Sequence, residues 1–190
     1  MKLQALSLSD LETVRLWRNE NLAMLRTPFL LTLEMQADFY HNVVCNRQAY
    51  ARYWAIVGDN NQYWCKDGNG SFIPGRNSML IGMCGLENIS WENRSAEISI
   101  IMDPEIHGYG EQAVDMLLDQ GFNCLNLENI YGECYECCPA IGFWNKMNRR
   151  HKAIISVLPK RKYWQGRYCD SLYFNYSKGA YNENTVSIST

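Results

Sequence analysis

SAEISIIMDPEIHGYGEQ, residues 95–112, reads as a strand, a sharp break and a glycine-flanked turn into a helix. The run Ala96 to Met102 is apolar and β-branched, which suits a strand. Asp103-Pro104 ends it, because proline cannot donate to a sheet ladder. Gly108 and Gly110 bracket Tyr109, and Ala113, Val114, Leu117, Leu118 and Phe122 follow at helical spacing. Two glycines at a helix start allow a close approach of the backbone, and the free N–H groups of the first turn favour an anion. The turn therefore reads as a pyrophosphate cradle, although a Gly-x-Gly pair is also compatible with an ordinary loop-to-helix turn.

Outward from that stretch, the chain alternates strands and helices. Residues 3–6 form a short strand. Ser9 or Asp10 caps a first helix with Glu12 placed to complete the cap, and Leu11, Val14 and Trp17 make its buried stripe. Thr32 caps a second helix with Leu33, Ala37, Tyr40 and Val44 as its apolar face. Strands are expected over 53–57, 79–89, 129–135, 153–158 and 169–176, and Pro139 opens a helix reaching about residue 148. Residues 58–78 are polar, rich in turn signals and long for a connection. They read as an inserted loop or small hairpin, either a substrate lid or a tolerated surface insertion. Residues 177–190 are small and polar and are expected to fray. The order predicts one α/β domain over 1–176, a mixed, mostly antiparallel central sheet with helices on both faces.

With 190 residues and 47% hydrophobic content the chain can bury a core of its own. It has no apolar run long enough to span a bilayer and no secretory h-region at its start, so the expected location is cytoplasmic. The eight cysteines then read as reduced thiols. Cys134-x-x-Cys137-Cys138 lacks a second ligand pair at matching spacing, so no metal is expected. Between Cys137 and Cys169 there is no acidic residue, while Lys146, Arg149, Arg150, Lys152, Lys160, Arg161, Lys162 and Arg167 interleave with Tyr163, Trp164 and Tyr168. Such a patch attracts phosphates, whether of a cofactor, a nucleotide-linked substrate or nucleic acid, or is a solvated basic face.

The segment order, with Leu16-Trp17-Arg18-Asn19, Ala96-Glu97-Ile98, His107-Gly108-Tyr109-Gly110 with Ala113, and Pro139-Ala140-Ile141 through Lys146, resembles the GCN5-related N-acetyltransferase superfamily, most closely its RimJ/RimL-type branch. The resemblance implies a central strand and the strand after the Gly-loop helix that splay apart, with acetyl-coenzyme A lying in the V. It implies that His107, Gly108, Tyr109, Gly110 and Glu111 surround the pyrophosphate and that Cys137 and Lys146 contact the cofactor. Backbone N–H groups of Ile101 or Met102 would polarise the thioester carbonyl. Glu105 stands where the family has a base or amide, Cys137 where it has asparagine, and Trp144 where many members have an acidic tyrosine. Tyr135 or water could then protonate the departing thiolate.

Transfer to a protonated amine also needs a base. Glu97, mid-strand before the cofactor turn, is the first candidate, and Glu87 on the preceding strand is the second. A surface glutamate paired with Arg94 is the plain alternative for Glu97. The function expected is acetyl transfer from acetyl-CoA to a primary amine, on a protein N-terminus or an amino-sugar nucleotide, so that the acceptor is a peptide or a small molecule. A catalytically inactive acyl-CoA-binding module and a nucleic-acid-modifying acyltransferase are the competing readings. A monomer or a homodimer is expected, with no membrane partner.

Overall fold

The computed structural model describes residues 1–58, 64–66, 72–74 and 79–188. Nine strands occur among them: β1 (Lys2–Ala5), β2 (Arg52–Val57), β3 (Trp64–Lys66), β4 (Phe72–Pro74), β5 (Leu80–Ser90), β6 (Ser95–Met102), β7 (Asn129–Tyr135), β8 (Ile154–Trp164) and β9 (Arg167–Ser177). The helices are α1 (Leu8–Glu20), α2 (Leu33–Phe39), α3 (Gly110–Asp119), α4 (Ile141–Arg150) and α5 (Lys178–Ile188). Seven strands form one sheet in the order β1-β2-β5-β6-β7-β9-β8, antiparallel except for β6–β7. The mixed, mostly antiparallel sheet with helices on both faces is the architecture expected from the sequence.

Period-two alternation divides the sheet into two faces. Ile56, Cys84, Leu86, Ala96, Ile98, Ile130, Cys134, Phe174 and Tyr176 pack under Ala113, Val114, Leu117 and Leu118 of α3 and Met147 of α4. On the opposite face Ala55, Val57 and Met83 pack against Leu11, Val14 and Trp17 of α1. A π-turn (Gln120–Cys124) follows α3. There Gly121 lies over both Leu86 of β5 and Ile130 of β7, where a Cβ would sit 2.4 Å from the Ile130 Cδ1.

Four local details depart from the sequence reading. The cap of α1 is Ser7, whose hydroxyl receives the Asp10 N–H while the Asp10 carboxylate receives the Ser7 N–H, so Ser9 and Glu12 are not needed. In α2 Leu33 is exposed and Gln36 is buried, because the helix runs only seven residues and lays its N-terminal turn outward. β8 continues to Trp164 and turns tightly through Gln165 and Gly166, both at positive φ, into β9. Residues 178–188 are helical rather than frayed. Tyr181 explains this: it is buried against Phe122 and stacks on His151. The expected extra hairpin is present as the antiparallel pair β3–β4, with Cys65 opposite Ile73. The rest of the 58–78 insertion, and with it the lid reading, lies outside the described residues.

If α5 is part of the core, Tyr181→Ala should lower stability by about 3 kcal/mol, as for other large aromatic-to-alanine changes. Urea unfolding should show the midpoint falling at constant slope. An unchanged midpoint would make the helix an ornament.

Candidate active site

The central feature is a parallel pairing that stops early. β6 and β7 pair only at Ser95–Asn129, Ala96–Ile130 and Glu97–Tyr131. Beyond Glu97, β6 stays registered with β5 as far as Met102 opposite Gly82, while β7 stays registered with β9 to Tyr135 opposite Ser171. The two strands therefore part, and the implied V is present. Asp103 donates its N–H to Ile81 and Arg94 presents its carbonyl to Asn129. Alternation along β6 then turns the polar groups of odd residues toward β5 and those of even residues toward β7. Past the split, Ile98, Ile100 and Met102 project their N–H and C=O groups into the opening. Of the two expected oxyanion donors, Met102 faces the V, and Ile101 has its N–H committed to β5.

At the mouth of the V, α3 begins after Tyr109 with no side-chain cap on its first turn. His107 and Gly108 are exposed. Gly108 adopts φ +92° and has open space where a Cβ would point, a conformation that favours glycine. An uncapped helix start beside an open left-handed glycine fits a phosphate group. Gly110 also has a packing role. A Cβ there would lie 3.1 Å from the ring of Phe143, so its smallness lets α4 close onto α3.

Glu111 and Lys146, both expected at the cofactor, bind each other: the Lys146 ammonium lies 2.5 Å from the Glu111 carboxylate, with Arg150 at 3.3 Å. These ion pairs hold the Glu111 carboxyl below the usual range, chiefly through the Lys146 hydrogen bond. Cys137 lies in the turn just past β7, and its pKa is raised, first by burial and then by the neighbouring Cys169 thiol. Trp144 stacks on Phe174 with ring centroids 4.9 Å apart, which is packing rather than acid chemistry. Among the described residues no group of three or more His, Cys, Asp or Glu is arranged to hold a metal ion.

Part of the basic stretch is committed to partners within the protein. Lys146 and Arg150 pair with acids of α3, and Arg161 pairs with Glu133. Lys162 is buried, with its ammonium donating to the carbonyls of Leu22, Ala23 and Leu25 at 2.6–3.1 Å and lying 4.9 Å from the ring centroids of Tyr135 and Trp164. Burial lowers its pKa.

On the α1 face, at the apex of the V, three carboxylates sit on three adjacent strands. Glu87 of β5 is directly opposite Glu97 of β6, and Glu133 lies two residues beyond Tyr131, the β7 partner of Glu97. Glu97 is 7% exposed and is not paired with Arg94, which binds Asn126 and Glu128 instead. Its carboxylate receives a fork of hydrogen bonds from the Arg26 guanidinium and one from the Asn88 amide at 3.0 Å. Asn88 reaches it because a register shift in β5 places that residue at φ +49°, a conformation asparagine tolerates. Like charges directly opposite on a sheet repel. Here Glu87 lies beside Tyr53, whose phenol is pushed well up by burial and then by the Glu87 charge. Glu133 receives Ser171 at 2.6 Å, Arg161 at 3.0 Å and Arg26 at 3.2 Å. Burial pushes its carboxyl upward, but these donors and charges outweigh burial and hold it below the ordinary range.

The sequence reading singled out Glu97 and Glu87 and did not include Glu133 and Arg26, which the structure places beside Glu97. For Glu133 a signal existed, since it is a charged residue at the centre of a strand expected inside the sheet. Arg26 carried none: it sits in an irregular segment whose spatial neighbour, Glu97, is 71 residues away in sequence.

Residues 1–137 match the model of the acetyltransferase (GNAT) domain. The uncharacterized N-acetyltransferase p20 of Bacillus licheniformis is 32% identical over 114 residues, 58% of this chain and 62% of that protein. The chain thus spans about three fifths of the length of this relative. Among solved structures, the spermidine N-acetyltransferase of Vibrio cholerae in complex with CoA and spermine superposes with a TM-score of 0.72 at 20% identity, covering 95% of this chain and 97% of that one. A dodecameric structure of spermidine N-acetyltransferase from the same organism, in an intermediate state, gives 0.69 at 21% identity, covering 95% of each chain. At such identities the likeness is one of fold.

Two outcomes follow from the geometry. Gly110→Val should force Phe143 aside and lower stability by about 1–3 kcal/mol, the usual range for overpacking, together with any loss of acetyl-CoA affinity. A variant of wild-type stability would contradict the α3–α4 contact. Because the folded Glu133 carboxyl titrates below its unfolded value, its ionised form contributes stability above the ordinary glutamate value of about 4.3, lost as pH falls through the folded value. Glu133→Gln should therefore be less stable than wild type at pH 7, with the gap narrowing below about pH 4. A gap independent of pH would show that the charge is immaterial.

Proposed function

The chain belongs to the acetyltransferase (GNAT) family, and on that premise we propose that it moves an acetyl group from acetyl-CoA to a primary amine by direct transfer. The observation that carries the reading is the early split of β6 from β7 with a buried carboxylate, Glu97, at its apex. The uncapped start of α3 with His107, Gly108 and Tyr109 would hold the pyrophosphate. The backbone groups of Ile98, Ile100 and Met102 would pair with the amides of the pantetheine arm, as a neighbouring strand would. At the deep end, the Met102 N–H would donate to the thioester carbonyl as negative charge grows on its oxygen.

The acceptor enters on the α1 face. An aliphatic ammonium has a pKa near 10.4, so at neutral pH it must lose a proton before it can attack. Glu97 is the group within the split that can take that proton, directly or through water. The C–N bond then forms as the C–S bond breaks, and coenzyme A departs as a thiolate. Tyr135 ends β7 beside this path and near Arg26, and its pKa is raised, first by burial. It is the protein's nearest candidate to return a proton, water being the other.

For the acceptor, the carboxylates favour a small cationic amine. That the fold neighbours act on spermidine supports a polyamine-like class, and a peptide N-terminus, suggested by the RimJ/RimL-type resemblance, is the second choice. Glu97→Gln keeps the hydrogen-bonding shape and removes the base. Turnover should fall by about 10²–10⁴, with acetyl-CoA affinity retained and partial recovery at high pH, where the amine deprotonates unaided. Thiol release against a panel of amines would report this, and a protein that binds acetyl-CoA yet releases no thiol with any amine would be a binding module instead.

A further inference from the structure

Arg26 occupies an unusual position. Its guanidinium lies between Glu97 and Glu133, with both carboxylates almost fully buried at 9% and 5% side-chain exposure, while the arginine itself is 51% exposed. A cation thus enters this buried acidic pair from the solvent side. The other donors to Glu97 and Glu133 are Asn88, Ser171 and Arg161. Without Arg26 the Glu97 carboxylate would keep only a neutral amide, and a buried carboxylate without a counter-charge is costly. The pocket is built for a cation at this point.

The segment carrying Arg26 is built as a strap. At one end the buried Lys162 ammonium grips the carbonyls of Leu22, Ala23 and Leu25. At the other, Asn19 exchanges two hydrogen bonds with Leu31, and Arg15 donates to the Leu31 carbonyl at 3.0 Å. Between these tethers, residues 26–30 have no regular structure. Arg26 points inward to the carboxylates, while Phe29 and Leu30 are 54% and 62% exposed. Displacing the guanidinium therefore needs rearrangement of a five-residue span, with both anchors left in place.

Resting on the acetyl-transfer reading for its chemical purpose, we propose that the Glu97–Glu133 pair is the cation subsite of the acceptor and that Arg26 is its internal occupant, which a cationic amine displaces. In this arrangement Glu97 is released to act as base only when an acceptor cation takes the place of Arg26. Neutral amines and acceptors too short to reach both carboxylates are then selected against.

The test uses the full chain and titration calorimetry. Arg26→Ala should bind methylguanidinium, a probe for the vacated subsite, at least tenfold more tightly than wild type, and the added change Glu97→Gln should abolish that gain. Spermidine affinity should rise about tenfold in Arg26→Ala, with methylguanidinium competing for it. Arg26→Lys, which keeps a cation on the strap, should stay within a few fold of wild type. A folded Arg26→Ala with unaltered circular dichroism that binds methylguanidinium no better than wild type would overturn the proposal, as would a fall in spermidine affinity. Acetyl-CoA affinity, measured separately, isolates the other reading. Its absence in wild type would sink the transferase assignment and leave the subsite result standing.

Discussion

The molecule depends on one limit to hydrogen bonding: the parallel ladder between β6 and β7 lasts three residue pairs and then stops. Each strand has a stronger commitment on its other side. β6 is antiparallel to β5 from Glu97 to Met102, and β7 is paired with β9 along all seven of its residues. The right-handed twist between neighbouring strands then carries the two apart. Backbone groups that would have been consumed in a longer ladder remain directed into the gap. The same event places Glu97 where the sheet stops being continuous, with one side of its strand in packed core and the other beside the opening.

Charge on the α1 face is organised around that apex. Three carboxylates on neighbouring strands would repel, and each has its own partners: Tyr53 of β2 for Glu87, Asn88 for Glu97, and Arg161 of β8 and Ser171 of β9 for Glu133, with Arg26 of the strap shared between Glu97 and Glu133. Neutralisation is thus local and shared. Tyr53, Asn88, Arg161 and Ser171 stand on paired strands, whereas Arg26 belongs to a segment held at its ends alone. That contrast marks which member of the network can move.

The elements legible in the sequence were those fixed by periodicity and by strong breakers. Residues 129–135 read as a strand and are one, and Asp103-Pro104 ends β6 as proline should. Glycine at 108 was legible as a backbone requirement. Gly110 was read, like Gly108, as part of the cradle; that its neighbour would be Phe143 is tertiary information. Glu97 was found because an acid within an apolar run is conspicuous. Pairing with Arg94, the nearest arginine in sequence, was the plain alternative and does not occur, while nothing in a one-dimensional pattern brings a loop residue such as Arg26 across the sheet. The C-terminal residues misled for a similar reason: their composition is polar, and their order comes from one aromatic ring, Tyr181, that finds a place against Phe122.

The short junction also divides the sheet mechanically. On one side stand β1, β2, β5 and β6; on the other, β7, β9 and β8. Few backbone bonds tie these plates together, so their cohesion falls to side chains packed across the seam, among them Leu86 of β5 and Ile130 of β7 beneath Gly121. Amide hydrogen exchange in such a molecule has two natural units rather than one. Protection within each plate would survive openings that expose the seam, and a molecule seated between β6 and β7 would couple the two, making the sheet exchange as a whole.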